Sequence, residues 1–129
     1  MQVIMQYICK KTKMSILIVG TVAFDAIETP FGKTDKIVGG AATYICMSAS
    51  KFYKNLNLVS VVGGDFPNEA IQMLRNNNTN IDGLQIKQSE KTFFWSGKYH
   101  KDMNTRDTLE TQLNVLEKFD PIVPKEYQQ

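Results

Sequence analysis

Two groups of residues about twenty positions apart have types that could hold a small molecule. The first is Asp25, which follows the apolar run Ser15-Ile16-Leu17-Ile18-Val19 and the connection Gly20-Thr21-Val22-Ala23-Phe24. The second is Gly39-Gly40-Ala41-Ala42, which opens an apolar helical pattern. A carboxylate just past a strand end accepts hydrogen bonds from ligand hydroxyls, and a glycine turn at a helix N-terminus lets backbone amides approach the same ligand. Asp25, Gly39 and Gly40 therefore predict half of a small-molecule site. Each has a plainer alternative, a simple turn for the glycines and a solvated turn acid for the aspartate. No Gly-Lys-Ser/Thr follows the pair, and Gly20-Thr21-Val22 does not complete a dinucleotide fingerprint. Phosphate binding by this part of the chain is not expected.

The elements that would position these residues alternate. Ser15 to Val19 reads as a central strand buried on both faces. Ala26 to Val38, with Thr29-Pro30-Phe31-Gly32-Lys33-Thr34 as its turn, reads as a hairpin standing off the body. Gly40 to Tyr53 places Ala42, Ile45, Cys46, Ala49 and Phe52 at helical spacing, which predicts a packed face. Leu58 to Val62 is the next buried strand, Gly63-Gly64-Asp65 a turn, and Pro67 to Arg75 a second helix packing through Ile71 and Leu74. Asn76 to Asn80 reads as a polar breaker. The order strand, helix, strand, helix implies parallel strands with right-handed crossovers. The period then becomes two: Thr92 to Tyr99 is aromatic-rich, and Thr108 to Glu117 is its expected partner. Asp120-Pro121-Ile122-Val123-Pro124 reads as an exit without further structure.

Other candidates are weaker. Cys9, Cys46 and His100 have no metal-ligand spacing, and His100 has no nucleophile placed beside it. The chain of 129 residues, 43% hydrophobic and 22% charged, fits one globular domain, and a net charge of +2 predicts neither a nucleic-acid nor a membrane partner. With two cysteines and no apolar run long enough to span a bilayer, a cytoplasmic location is expected. Residues 1–13, with Lys10, Lys11 and Lys13 as a solvated cluster, are expected to be a disordered or non-native leader, and Met14 the natural start.

Strand, acid, hairpin, Gly-Gly helix, strand and Gly-Gly-Asp in this order resemble the amino-terminal half of the PfkB carbohydrate kinases, the group of ribokinase, adenosine kinase and fructokinases. The resemblance runs from Ser15 to the end of the chain. It implies an α/β fold: a partial ribokinase-like, Rossmann-type sheet with flanking helices and a small β-sheet lid built from about 26–38 and 92–117. It also implies that Asp25 bonds substrate hydroxyls and that amides at Gly39 and Gly40 approach the sugar. Many members continue Lys-Gly-Ala-Asn after the glycines; here Ala41-Ala42-Thr43-Tyr44 stands there, so Tyr44 would shape the pocket. Ala23 likewise replaces a frequent asparagine, and the Gly63-Gly64-Asp65 turn would be structural. Phe94 and Trp95 must point to opposite faces of one strand, and Phe94 is the candidate for apolar cover over the substrate.

The same resemblance assigns the catalytic base to a Gly-Ala-Gly-Asp signature in the carboxyl-terminal half, and no such segment occurs in this sequence. No catalytic residue and no metal ligand is therefore expected in the chain. ATP and Mg belong to the full-length parent, none is expected for the chain alone, and a truncated, inactive sugar-binding portion is predicted. The expected partners are a sugar or nucleoside, a second copy through the lid sheet, and a complementing carboxyl-terminal chain. The alternative is a non-catalytic binding or dimerisation module.

Overall fold

The computed structural model describes residues 14–128, so the leader predicted over 1–13 lies outside the described residues. Two sheets form the body. The first is all-parallel in the order β1 (Ile16–Val19), β5 (Leu56–Gly63), β6 (Thr79–Lys87). The second is mixed: β2 (Ala23–Thr29) pairs antiparallel with β3 (Gly32–Lys33) and β4 (Ile37–Gly39) on one edge and parallel with β7 (Phe94–Tyr99) on the other. The outer strand β8 (Arg106–Gln112) closes a hairpin with β7. Helices α1 (Ala41–Ala49) and α2 (Asn68–Asn76) are the crossovers of the parallel sheet. This is the partial Rossmann-type α/β architecture with a small second β-sheet that the family resemblance implies.

The core sits between the parallel sheet and the two helices. β5 is central, and its Leu56, Leu58 and Val62 pack with Ala42 and Cys46 of α1 and Ala70, Ile71 and Leu74 of α2. α1 turns small residues inward, Ala42, Thr43 and Cys46, leaves Ile45 exposed and ends at Ala49, so that Phe52 lies exposed beyond it, which corrects the face and the length expected from spacing alone. Small inward residues let the helix lie close to β1: a Cβ built on Gly20 would stand 3.4 Å from that of Ala42.

Three elements differ from the sequence reading. β1 is an edge strand, with Leu17 and Val19 exposed, because the cover on the second face of the sheet lies over β5 and β6 instead. That cover is the second difference. Two 3-10 turns form it: Asn114–Leu116, inside the stretch Thr108 to Glu117 expected as a lid strand, buries Val115, and Lys125–Gln128, just past the exit expected to be structureless, buries Tyr127. The Asn114–Leu116 turn packs on β5 and so leaves the lid, whose strands run from Ala23 to Gly39 and from Phe94 to Gln112. The third is β6, which the polar stretch Asn76 to Asn80 conceals. Its ladder slips between Asn57/Asn80 and Val59/Gly83, so Ile81 and Asp82 face Leu58 alone. The Gly83 N–H freed by this bulge donates to the Tyr127 hydroxyl at 3.0 Å, and that hydroxyl donates to Asn80.

The Gly63-Gly64-Asp65 turn joins the sheets. Asp65 Oδ1 accepts from the Thr92 N–H at 2.8 Å and the Thr92 hydroxyl at 2.7 Å, while Thr92 Oγ1 accepts from the Gly63 N–H at 2.9 Å. A Cβ on Gly63 or Gly64 would run into backbone carbonyls of Glu90 or Gln88. Burial pushes the Asp65 carboxyl up, but the Thr92 hydrogen bonds and nearby Lys36 outweigh it, and its pKa lies below the usual value.

Candidate functional site

The junction of the two sheets at the N-terminus of α1 forms an open cleft of about 380 Å³. Its floor is built by the loop between β1 and β2. Ser60 on β5 ties this loop down, its hydroxyl donating to the Gly20 carbonyl at 2.6 Å and accepting from the Val22 N–H at 3.2 Å. Thr21 then caps the helix: its side-chain oxygen accepts from Ala41 N–H at 3.0 Å and its carbonyl from Ala42 N–H at 2.9 Å. Gly40 has φ +93°, and a Cβ there would strike the Thr21 carbonyl, so only glycine fits.

Asp25 is the third residue of β2, within the strand and not beyond the end of one. Its register partner on β4 is Ile37, and Gly39 lies near enough that a Cβ on Gly39 would overlap the Asp25 carboxylate. The Gly40 N–H reaches Asp25 Oδ2 at 3.4 Å. Burial raises the pKa of the Asp25 carboxyl, and the Gly40 amide opposes it in part. The structure thus gives the two glycines a different job from the one expected. The amides at the helix start are engaged by Asp25 and Thr21, and the absence of side chains makes room for the carboxylate and the cap.

The opposite wall comes from the lid. β2 and β7 are parallel with Phe24 beside Phe94 and Asp25 beside Trp95, so Asp25 and Trp95 share one face and the two phenylalanines the other. Trp95 and Tyr99 line the cleft with Phe93, and Tyr44 and Ala41 of α1 close it beside Asp25. Phe94 packs instead against the core, with the Lys36 ammonium 5.5 Å from its ring centre. The candidate cover over a ligand is therefore Trp95, and Phe94 is removed from the site. The Trp95 indole lies along the strand over Gly97, where a Cβ would collide with it, and its Nε1–H donates to Thr108 Oγ1 at 3.2 Å.

Thr21, Phe93, Tyr99 and Arg106 are site-lining residues that the sequence reading missed. Period two from Trp95 puts Tyr99 on the same face, and Arg106 is the residue directly opposite Tyr99 across the hairpin. His100 lies beyond this wall, exposed at the hairpin end, its Nε2 2.8 Å from Asp107 Oδ2. A second, apolar groove of about 400 Å³ runs along the outside of α1 between Tyr44 and Phe52. Among the described residues no group of three His, Cys, Asp or Glu could hold a metal ion, and no helix is long and apolar enough to cross a membrane.

No family model matches the sequence. The chain is 31% identical over 115 residues to a cytidine kinase of Thermococcus kodakarensis, covering 88% of this chain and 40% of that protein. In structure it is similar to a nucleoside kinase of Methanocaldococcus jannaschii, an archaeal member of the ribokinase family, with a TM-score of 0.66 at 27% identity over 86% of this chain and 42% of the other. A ribokinase of Cryptococcus neoformans, solved with ADP, shares the fold with a TM-score of 0.66 at 19% identity over 80% of this chain and 35% of that one. The chain spans about 40% of the length of the cytidine kinase it matches. Asp25, its glycine neighbours and the aromatic lid wall thus stand in a chain that is similar, over most of its length, to the amino-terminal portion of ribokinase-family kinases.

Proposed function

We propose that the chain is the substrate-binding portion of a ribokinase-type kinase that phosphorylates a hydroxyl of a nucleoside or sugar with ATP. The observation that carries this reading is the cleft, which sets one half-buried carboxylate, Asp25, beside the aromatic side chains of Trp95 and Tyr99 on one face of the lid sheet. Asp25 is the acceptor for ligand hydroxyls, and the wall offers apolar cover and a face for stacking. A planar base matches that wall better than a free sugar does, which favours a nucleoside. The similarity to a cytidine kinase and to the Methanocaldococcus jannaschii nucleoside kinase supports the same choice.

Phosphoryl transfer further requires a group that orients or accepts the hydroxyl proton, a positive cradle for the moving phosphate, and a site for the nucleotide and its metal ion. The residues of this chain do not fit those parts. Asp65 is committed to Thr92, His100 sits at the hairpin end, and Gly-Ala-Gly-Asp is absent. The chain binds substrate and leaves transfer to a carboxyl-terminal portion, which brings ATP and Mg.

Titration of the chain with cytidine, inosine, ribose and fructose tests this, because Trp95 is the only tryptophan and lines the cleft. Saturable changes in its emission with the nucleosides are expected, weakened in Asp25→Asn. No saturable change with any of the four sinks the reading, and ATP-dependent phosphorylation by the purified chain alone removes its non-catalytic part.

A second reading, a dimerisation module, is favoured by β8, an outer strand exposed along its whole length that includes Leu109. It predicts a dimer indifferent to nucleosides, and a monomer by light scattering at high concentration eliminates it.

A further inference from the structure

We infer that Arg106 is a specificity-determining residue that reads the edge of a nucleobase and selects bases presenting two adjacent hydrogen-bond acceptors; this rests on the nucleoside reading above. Arg106 is the first residue of β8 and stands opposite Tyr99. Its guanidinium lies 5.8 Å from the Trp95 ring centre and 5.9 Å from that of Tyr99, on the rim of the cleft that both line. None of the ion pairs among the described residues involves it. The cleft thus carries one guanidinium whose plane is steadied by two aromatic rings and whose N–H groups are not committed to a carboxylate.

The chemistry of that group sets what it can read. Guanidinium only donates, through a planar fork that fits two neighbouring acceptors at once. Cytosine presents such a pair in O2 and N3, and hypoxanthine and guanine present one in O6 and N7. Adenine has an amine between its ring acceptors, and uracil has an N–H between its two carbonyls, so neither offers the pair. Asp25, Trp95 and Arg106 line the same cleft, so a nucleoside whose ribose hydroxyls bond Asp25 and whose base lies along the aromatic side would turn its base edge toward Arg106. Gly97 contributes indirectly, since its lack of a side chain lets the indole lie flat and hold this arrangement.

The test is calorimetric titration of the 129-residue chain and its Arg106→Met and Arg106→Lys variants with cytidine, inosine, adenosine and uridine. The native chain is expected to bind cytidine and inosine roughly tenfold or more tighter than adenosine and uridine, the range a bidentate base contact supplies. Arg106→Met should compress that difference to about twofold by weakening cytidine and inosine more than adenosine and uridine, and Arg106→Lys, which keeps the charge and loses the fork, should do the same. Arg106 is exposed, and matching circular dichroism and melting curves establish that the variants are folded. Equal affinity of the native chain for all four nucleosides, discrimination that survives in Arg106→Met or Arg106→Lys, or a uniform loss for all four in Arg106→Met overturns the inference while leaving the nucleoside site in place. Binding of none of the four by the native chain overturns that site and the inference with it.

Discussion

The carboxylate of Asp25 occupies the space in which a side chain on Gly39 would stand. The two residues come from adjacent antiparallel strands, so the glycine is the condition for an acid inside β2 rather than a hinge or an amide donor. Gly39→Ala is expected to displace the carboxylate, reduce nucleoside binding as far as Asp25→Asn does, and destabilise the fold by about 1 to 3 kcal/mol through overpacking. Calorimetry and thermal melting of the variant check both effects, and an alanine variant that binds normally separates Gly39 from the site.

Asp25 itself carries a pH signature. Burial raises its pKa, so ligand binding that needs the carboxylate should strengthen as pH rises through a value above the usual one for aspartate. The stability effect has the opposite sign: a raised folded-state pKa contributes stability below the unfolded value, and that contribution is lost as pH rises through the folded one. Asp25→Asn should flatten the binding profile and cost about 1.5 to 3 kcal/mol of affinity at neutral pH, as expected for a charged hydrogen bond. Titrations across the acid range distinguish this from a simple loss of fold.

The Asp65–Thr92 latch behaves in the reverse way. Its carboxyl is held below the usual value, so its contribution is present above the unfolded pKa and is lost as pH falls through the folded one. Thr92→Val should lower stability by about 1 to 3 kcal/mol, since it leaves the Gly63 N–H without its acceptor and takes a hydroxyl donor from Asp65. Urea unfolding at neutral and acid pH measures it, and a smaller deficit at acid pH is the expected mark of the latch.

Tyr127→Phe isolates the carboxyl-terminal cover. It keeps the ring and removes the hydroxyl on which the Gly83 N–H depends, and a loss of about 1 to 3 kcal/mol is expected. Hydrogen exchange at Gly83 should accelerate more than at Val62, which lies in the central strand. Equal acceleration at both would mean that the cover acts on the whole sheet and not on the bulge.

What was legible in the sequence follows the physics of each element. Leu58 to Val62 is apolar on both faces and is central, as its composition demands, whereas Ser15 to Val19 has the same composition and lies at an edge, because burial depends on neighbours that a single segment does not specify. β6 was hidden because a bulge at Ile81 and Asp82 breaks its alternation, and its polar start is satisfied by a tyrosine more than forty residues away. Asp25, Gly39 and Gly40 could be singled out from types and order and Tyr44 from the family resemblance, and of these Asp25, Gly40 and Tyr44 line one cleft while Gly39 stands behind the carboxylate. The choice of Phe94 over Trp95 was wrong, since alternation says that they oppose one another but only the parallel register with Phe24 and Asp25 says which faces the acid. Arg106 was out of reach for the same reason, being placed by a hairpin register with a bulge at Ser96/Gly97.

The position of β1 at the rim of its sheet bears on handling the protein. Beyond β5 it has no strand neighbour among the described residues, and Leu17 and Val19 lie bare beside that open ladder. Unpaired backbone next to apolar side chains is a template for strand addition, and whatever docks there favours the folded form by mass action. Melting temperature should accordingly rise with protein concentration if copies cap one another at this edge, and solubility should improve when Leu17 or Val19 is replaced by lysine.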